Sequence, residues 1–117
     1  MRNHIESQLQ KSCVMWFRVQ YPRLRPLLFA VPNGGARSAI TGAILKSEGV
    51  LAGVADLLLL VPNKNYHGLC IEMKTAKGRQ STTQKQWERA VTLQGYKYIV
   101  CRSFTDFVKE INNYLCG

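Results

Sequence analysis

The stretch Gly53-Val54-Ala55-Asp56-Leu57-Leu58-Leu59-Leu60-Val61, followed closely by Gly68-Leu69-Cys70-Ile71-Glu72-Met73-Lys74, decides how this chain folds. Both runs have the length and apolar content of buried strands, where an ionised side chain is costly unless it is paired or bound to a metal. The connection Pro62-Asn63-Lys64-Asn65-Tyr66-His67-Gly68 is rich in turn residues, so the two runs are predicted to pair antiparallel. Alternation along the second run places Cys70, Glu72 and Lys74 on one face and Leu69, Ile71 and Met73 on the other. Two carboxylates and one ammonium on neighbouring strands suit a hard divalent cation and a polarised water. That chemistry points to phosphodiester hydrolysis.

Working outward, an amphipathic helix is predicted from about Asn3, a plausible N-cap, to about Gln20. Ile5, Leu9, Cys13, Trp16 and Phe17 share its inner arc, and Glu6 falls inside that arc, with Gln10 at its edge. Pro22 and Pro26 bracket a basic connection that cannot continue the helix. Leu27 to Val31 reads as a short strand ending at the turn Pro32-Asn33-Gly34-Gly35. A second helix is predicted from about Ala36 to Ser47, with Ala36, Ala39, Ile40, Ala43 and Ile44 as its apolar stripe. Beyond the basic loop Lys77-Gly78-Arg79, Ser81 caps a third helix ending near Gly95, with Gln84, Trp87, Ala90 and Val91 facing inward. Tyr96 to Cys101 is the last strand, and Ser103 with Asp106 opens a final helix. The order αβαββαβα predicts an α/β sandwich around a mixed four-stranded sheet, its last strand-helix-strand step parallel and right-handed.

The chain has 117 residues, which suits a single domain spanning 1–117, and a hydrophobic fraction of 46% marks a folded globule. Its net charge of +9 favours a polyanionic partner, nucleic acid being the usual one. Cys13, Cys70, Cys101 and Cys116 form no close pair and the two histidines are far apart, which argues against a structural zinc site. Cys13, Cys70 and Cys101 sit in apolar segments and read as reduced core thiols. Neither a membrane span nor a signal peptide is visible, so a soluble, cytoplasmic protein is expected.

The order of these motifs resembles the PD-(D/E)XK nuclease superfamily, and within it the virus-type replication-repair nuclease (VRR-NUC) domain in its compact stand-alone phage form. The resemblance is carried by Asn33-Gly34-Gly35, Gly49, Gly53-Val54-Ala55-Asp56-Leu57, Ile71-Glu72-Met73-Lys74, Ser81-Thr82-Thr83-Gln84 and Gly95-Tyr96, with fifteen residues between Asp56 and Glu72. It covers nearly the whole chain. One departure is Ala55, where the family has a proline that shapes the backbone but supplies no ligand. The resemblance implies Mg²⁺- or Mn²⁺-dependent cleavage of DNA, a role in phage DNA repair, and a homodimer resembling Holliday-junction resolvases.

Within that frame Asp56 and Glu72 are expected as direct metal ligands, and the family also uses the backbone carbonyl of the residue at Met73. Lys74 is expected to orient the attacking water and offset transition-state charge, and Glu6 to reach the metal through a water or to serve a second metal. Gln84 is a candidate for the scissile phosphate or a water. Ser81-x-x-Gln84 is also a capping box, and the two roles are expected to coexist only if the side chain does not fold back. Asn33, Gly34 and Gly35 precede a helix N-terminus, where amides receive phosphate or simply turn the chain. Arg37, Lys77, Arg79, Lys85 and Arg89 are candidates for contact with the DNA backbone. The leading expectation is a structure-selective endonuclease for branched DNA such as a four-way junction. The competing ones are a non-catalytic nucleic-acid-binding module and a sequence-specific restriction-type nuclease, for whose recognition elements the chain has no obvious room.

Overall fold

The computed structural model describes residues 4–32 and 39–116. Helix α1 (His4–Gln20) runs into a 3₁₀ helix (Pro22–Leu27) and strand β1 (Leu28–Ala30). Helix α2 (Ala39–Ser47) precedes the hairpin β2 (Leu57–Leu59) and β3 (Leu69–Met73). Helix α3 (Thr82–Leu93), strand β4 (Lys97–Cys101) and helix α4 (Phe104–Cys116) complete the αβαββαβα order. The strands lie in the order β1-β2-β3-β4, antiparallel except for the parallel β3–β4 pair, so the expected mixed sheet is present. Asn3, the expected first cap, and residues 33–38 lie outside the described residues.

The period of two in the hairpin sorts side chains between two unlike layers. Leu57, Leu59, Leu69, Ile71 and Met73 join Cys13 and Phe17 of α1 and Phe107, Ile111 and Tyr114 of α4 in one apolar core. Each large side chain buried there contributes roughly 1.5–3 kcal/mol. Trp16 closes this layer with edge-on contacts to Tyr21, Phe104 and Phe107. The hairpin connection is ordered by Asn63, whose Oδ1 accepts from the amides of Asn65 and Tyr66 and whose Nδ2 donates to the Tyr114 carbonyl. Tyr114 in turn donates its hydroxyl to the Val61 carbonyl, tying α4 to the end of β2.

Two glycines hold positions no other residue could take without movement. Gly95, at φ +91°, ends α3, and a Cβ there would lie 2.6 Å from the His67 ring. Gly53, at φ +89°, lets the segment before β2 touch the first turn of α3, where a Cβ would lie 2.5 Å from the Thr83 carbonyl oxygen.

Three expectations about helix faces need correction. Ile5 is exposed, so the inner arc of α1 begins at Leu9. The stripe of α2 is not buried within this chain: Ile40 is 75% and Ile44 is 52% exposed, and Ala39 and Ala43 are exposed too. Ala90 also faces solvent, because α3 leans on the sheet through Trp87 and Val91. Periodicity identifies an apolar face without saying what covers it. No helix among the described residues is long and apolar enough to cross a membrane.

Candidate active site

The antiparallel register that pairs Leu57 with Ile71 continues to bring Asp56 opposite Glu72. Asp56 stands just before β2, its carbonyl oxygen accepting from the Val31 amide at 2.9 Å. Its side chain is aimed across the hairpin, where Oδ2 accepts from the Met73 amide at 2.7 Å. A charge-assisted bond to a strand-end amide fixes the carboxylate beside Glu72 and the peptide that follows it. Glu72 points to the α3 side of the sheet and is only 2% exposed.

Glu72 receives two donors. Gln84 Nε2 donates to its Oε2 at 3.1 Å, and the Tyr98 hydroxyl donates to its Oε1 at 3.0 Å. Burial, then a hydrogen bond with Asp56 and the negative charge of Asp56, push the Glu72 carboxyl up to about 8, while the Tyr98 bond and the charge of Lys74 pull against this rise. Burial is the largest cause of a raised pKa at Tyr98 as well. The site therefore holds a proton on Glu72 where an exposed carboxyl would have lost it, and a bound cation would take that proton's place.

Gln84 caps its own helix and reaches Glu72 at the same time. The Ser81 amide donates to Gln84 Oε1 at 2.8 Å and the Gln84 amide donates to Ser81 Oγ at 3.2 Å, which completes the capping box. The side chain does fold back, contrary to the condition set from the sequence, yet its Nε2 still reaches Glu72. One amide group has two ends, and each has a separate partner.

Lys74 follows β3, with its backbone amide donating to the Cys101 carbonyl at 3.0 Å. Its aliphatic stem passes Gly78, where an added Cβ would meet Lys74 Cδ at 3.4 Å. The loop beyond it is clasped by Arg102, a residue the sequence reading did not single out. Arg102 Nη1 donates to the Gly78 carbonyl at 2.6 Å and the Thr75 carbonyl at 2.9 Å. Lys77 and Arg79 on this loop, and Lys85 and Arg89 on α3, are all exposed. Tyr98 was missed for a similar reason: its place beside Glu72 depends on the parallel register pairing Cys70 with Tyr98, which no local signal announces.

Glu6 lies half-buried in the first turn of α1. Among the described residues no three His, Cys, Asp or Glu side chains gather tightly enough to hold a metal, so Glu6 does not form a trio with Asp56 and Glu72. Asn33, Gly34, Gly35 and Arg37 lie outside the described residues. The pair Asp56 and Glu72 nevertheless fits Mg²⁺ or Mn²⁺: the donors are hard oxygens, and these ions keep several waters and need few protein ligands.

Comparison with known proteins agrees with this architecture. No curated protein sequence matches the chain. A solved structure described as a VRR_NUC domain protein superposes with a TM-score of 0.84 at 23% identity, over 99% of this chain and 92% of that one. At that identity the likeness speaks to the fold. Residues 2–105 match the VRR-NUC domain, a domain of nuclease type, and the chain belongs to that family.

Proposed function

We propose that the protein is a Mg²⁺- or Mn²⁺-dependent, structure-selective DNA endonuclease that hydrolyses phosphodiester bonds in branched DNA. The observation that carries this reading is the juxtaposition of Asp56 and Glu72 across the hairpin, with Lys74 two residues further along the same edge. Asp56, Glu72 and the Met73 carbonyl would hold the cation. When bound, it supplies Lewis-acid activation of the scissile phosphate and of water. Lys74 orients the attacking water and balances charge that develops on the phosphoryl oxygens. Gln84 holds Glu72 in place from the capped end of α3. Glu6 acts at longer range, through water. Lys77, Arg79, Lys85 and Arg89 offer exposed charge to the DNA backbone, and Asn33, Gly34, Gly35 and Arg37 are assigned to DNA contact as well.

A homodimer is part of the same reading. Ile40 and Ile44 of α2, and Val50 and Leu51 after it, are exposed apolar residues that a second copy would cover. Two active sites related by a two-fold axis suit symmetric incision of a four-way junction. The buried thiols Cys13, Cys70 and Cys101 are free, which suits a reducing cytoplasm.

The deciding experiment incubates the full chain and Mg²⁺ with end-labelled four-way junctions, flaps and plain duplex, while solution mass is measured alongside. Junction cleavage that EDTA abolishes, by a particle of twice the chain mass, is the expected result. Intact DNA in every lane would leave a binding module on a nuclease fold as the better description.

A further inference from the structure

The polar network on the α3 side of the sheet continues past the residues that touch Glu72. Tyr98 receives a bond from Gln80 Nε2 at 3.4 Å, and the same nitrogen donates to Glu88 Oε1 at 2.9 Å. Glu88 stands one helical turn after Gln84 on α3, so this helix closes a ring: Glu72, Gln84, Glu88, Gln80, Tyr98 and back to Glu72. The ring has a direction. A carboxylate offers only acceptors, so Gln80 must turn its amide nitrogen to Glu88. That nitrogen has no lone pair to offer, so the Tyr98 oxygen accepts from it, and the single Tyr98 hydrogen is left for Glu72. On the other side the Ser81 amide can only donate, which takes the Gln84 oxygen and turns its nitrogen to Glu72. Both donors that meet Glu72 are thus oriented from outside the site.

We infer that Glu88, acting through Gln80 and Tyr98, is a positioning residue that holds Glu72 as an acceptor-only ligand for the divalent cation. The inference rests on the reading of Asp56 and Glu72 as the metal pair. Glu88 itself touches neither cation nor substrate. With a neutral amide at position 88, Gln80 can turn over and present its oxygen to Tyr98. The Tyr98 hydrogen then leaves Glu72 for Gln80, and one of the two bonds that fix the Glu72 carboxylate is lost. Loss of such an outer support weakens metal binding while leaving the ligands themselves intact.

The test is calorimetric titration of the full chain with Mn²⁺ alone, without DNA. Glu88→Gln, which keeps size and hydrogen-bonding capacity, and Tyr98→Phe should each weaken Mn²⁺ binding roughly tenfold. The double variant should bind no more weakly than Tyr98→Phe, because the chain is already cut. If Tyr98→Phe does not fold, Gln80→Leu supplies the cut. In cleavage assays the Mg²⁺ concentration for half-maximal rate should rise in Glu88→Gln while KM for DNA stays unchanged. Parent-like Mn²⁺ affinity in Glu88→Gln, or losses that multiply in the double variant, would overturn the inference. A parent with no Mn²⁺ binding sensitive to Asp56→Asn would instead strike the metal reading beneath it.

Discussion

The two faces of the sheet are built from the same strands and obey opposite rules. Toward α1 and α4, Leu57, Leu59, Leu69, Ile71 and Met73 meet Phe17, Phe107 and Ile111 in a layer with no charged member. Toward α3, Glu72 is buried among Tyr98, Gln84 and Gln80, each with a named hydrogen-bond partner. The first face gains stability from area removed from water, and the second gives up part of that gain to keep a buried carboxyl ready for a cation. A period of two lets adjacent residues of one strand serve both purposes, Ile71 and Met73 on one side and Glu72 on the other. Fold and chemistry are thereby separable by mutation, although they are one residue apart.

The largest effect should come from the apolar face. Phe107→Ala empties a fully buried site and should cost about 3–5 kcal/mol of unfolding free energy in urea. Below its new midpoint the variant should keep its Mn²⁺ affinity. Lys74→Ala should behave in the opposite way. Cleavage of a junction should fall roughly 10²–10³-fold, the scale for removing one transition-state contact, while thermal midpoint stays close to the parent. If Phe107→Ala abolishes metal binding in the folded state, or Lys74→Ala unfolds the domain, the separation between the faces is lost.

A smaller effect lies in the pH dependence of the metal-free protein. Glu72 is raised from an ordinary value of 4.5 to about 8 in the folded state, so the native form binds its proton more tightly than the unfolded chain. Its contribution to stability is complete below 4.5 and is lost as pH rises through about 8. The metal-free thermal midpoint should therefore fall between pH 5 and pH 8, by an amount worth a few kcal/mol. Glu72→Gln should flatten that fall. Added Mn²⁺ should restore the midpoint at pH 8 in the parent only, since binding to the folded state offsets the cost of the ionised pair. A parent midpoint that rises across this range would contradict the assignment of Glu72 as the strained group.

The same comparison explains how far the sequence could be read. Asp56 and Glu72 were legible because turn residues fix the hairpin and alternation fixes the face. Those are short-range signals that also determine the final register. Tyr98 and Arg102 were not legible, because β4 reaches β3 only after a helical crossover and the parallel register is set by packing at a distance. Helix stripes were half legible. The face of α4 finds its partners at Phe107 and Ile111, whereas that of α2 keeps Ile40 and Ile44 in the open. Glu6 was read as inward-facing from helical phase, and it lies half-buried in the first turn of α1.

The finest probe of the boundary between the faces is Ser81→Ala. Ser81 Oγ accepts from the Gln84 amide, so its removal should lower stability by about 1 kcal/mol, the usual scale for an N-cap. The Ser81 backbone amide remains and still donates to Gln84 Oε1, so Gln84 Nε2 should still be turned toward Glu72. Cleavage should therefore drop only a few-fold, from fraying at the first turn of α3, with little change in Mn²⁺ affinity. Gln84→Leu makes the contrasting case, because it removes the capping bond and the Glu72 contact together and should weaken Mn²⁺ binding as well. Equal Mn²⁺ losses in the two variants would mean that the cap, and not the amide donor, is what holds Glu72. The helix end would then be part of the chemical face itself.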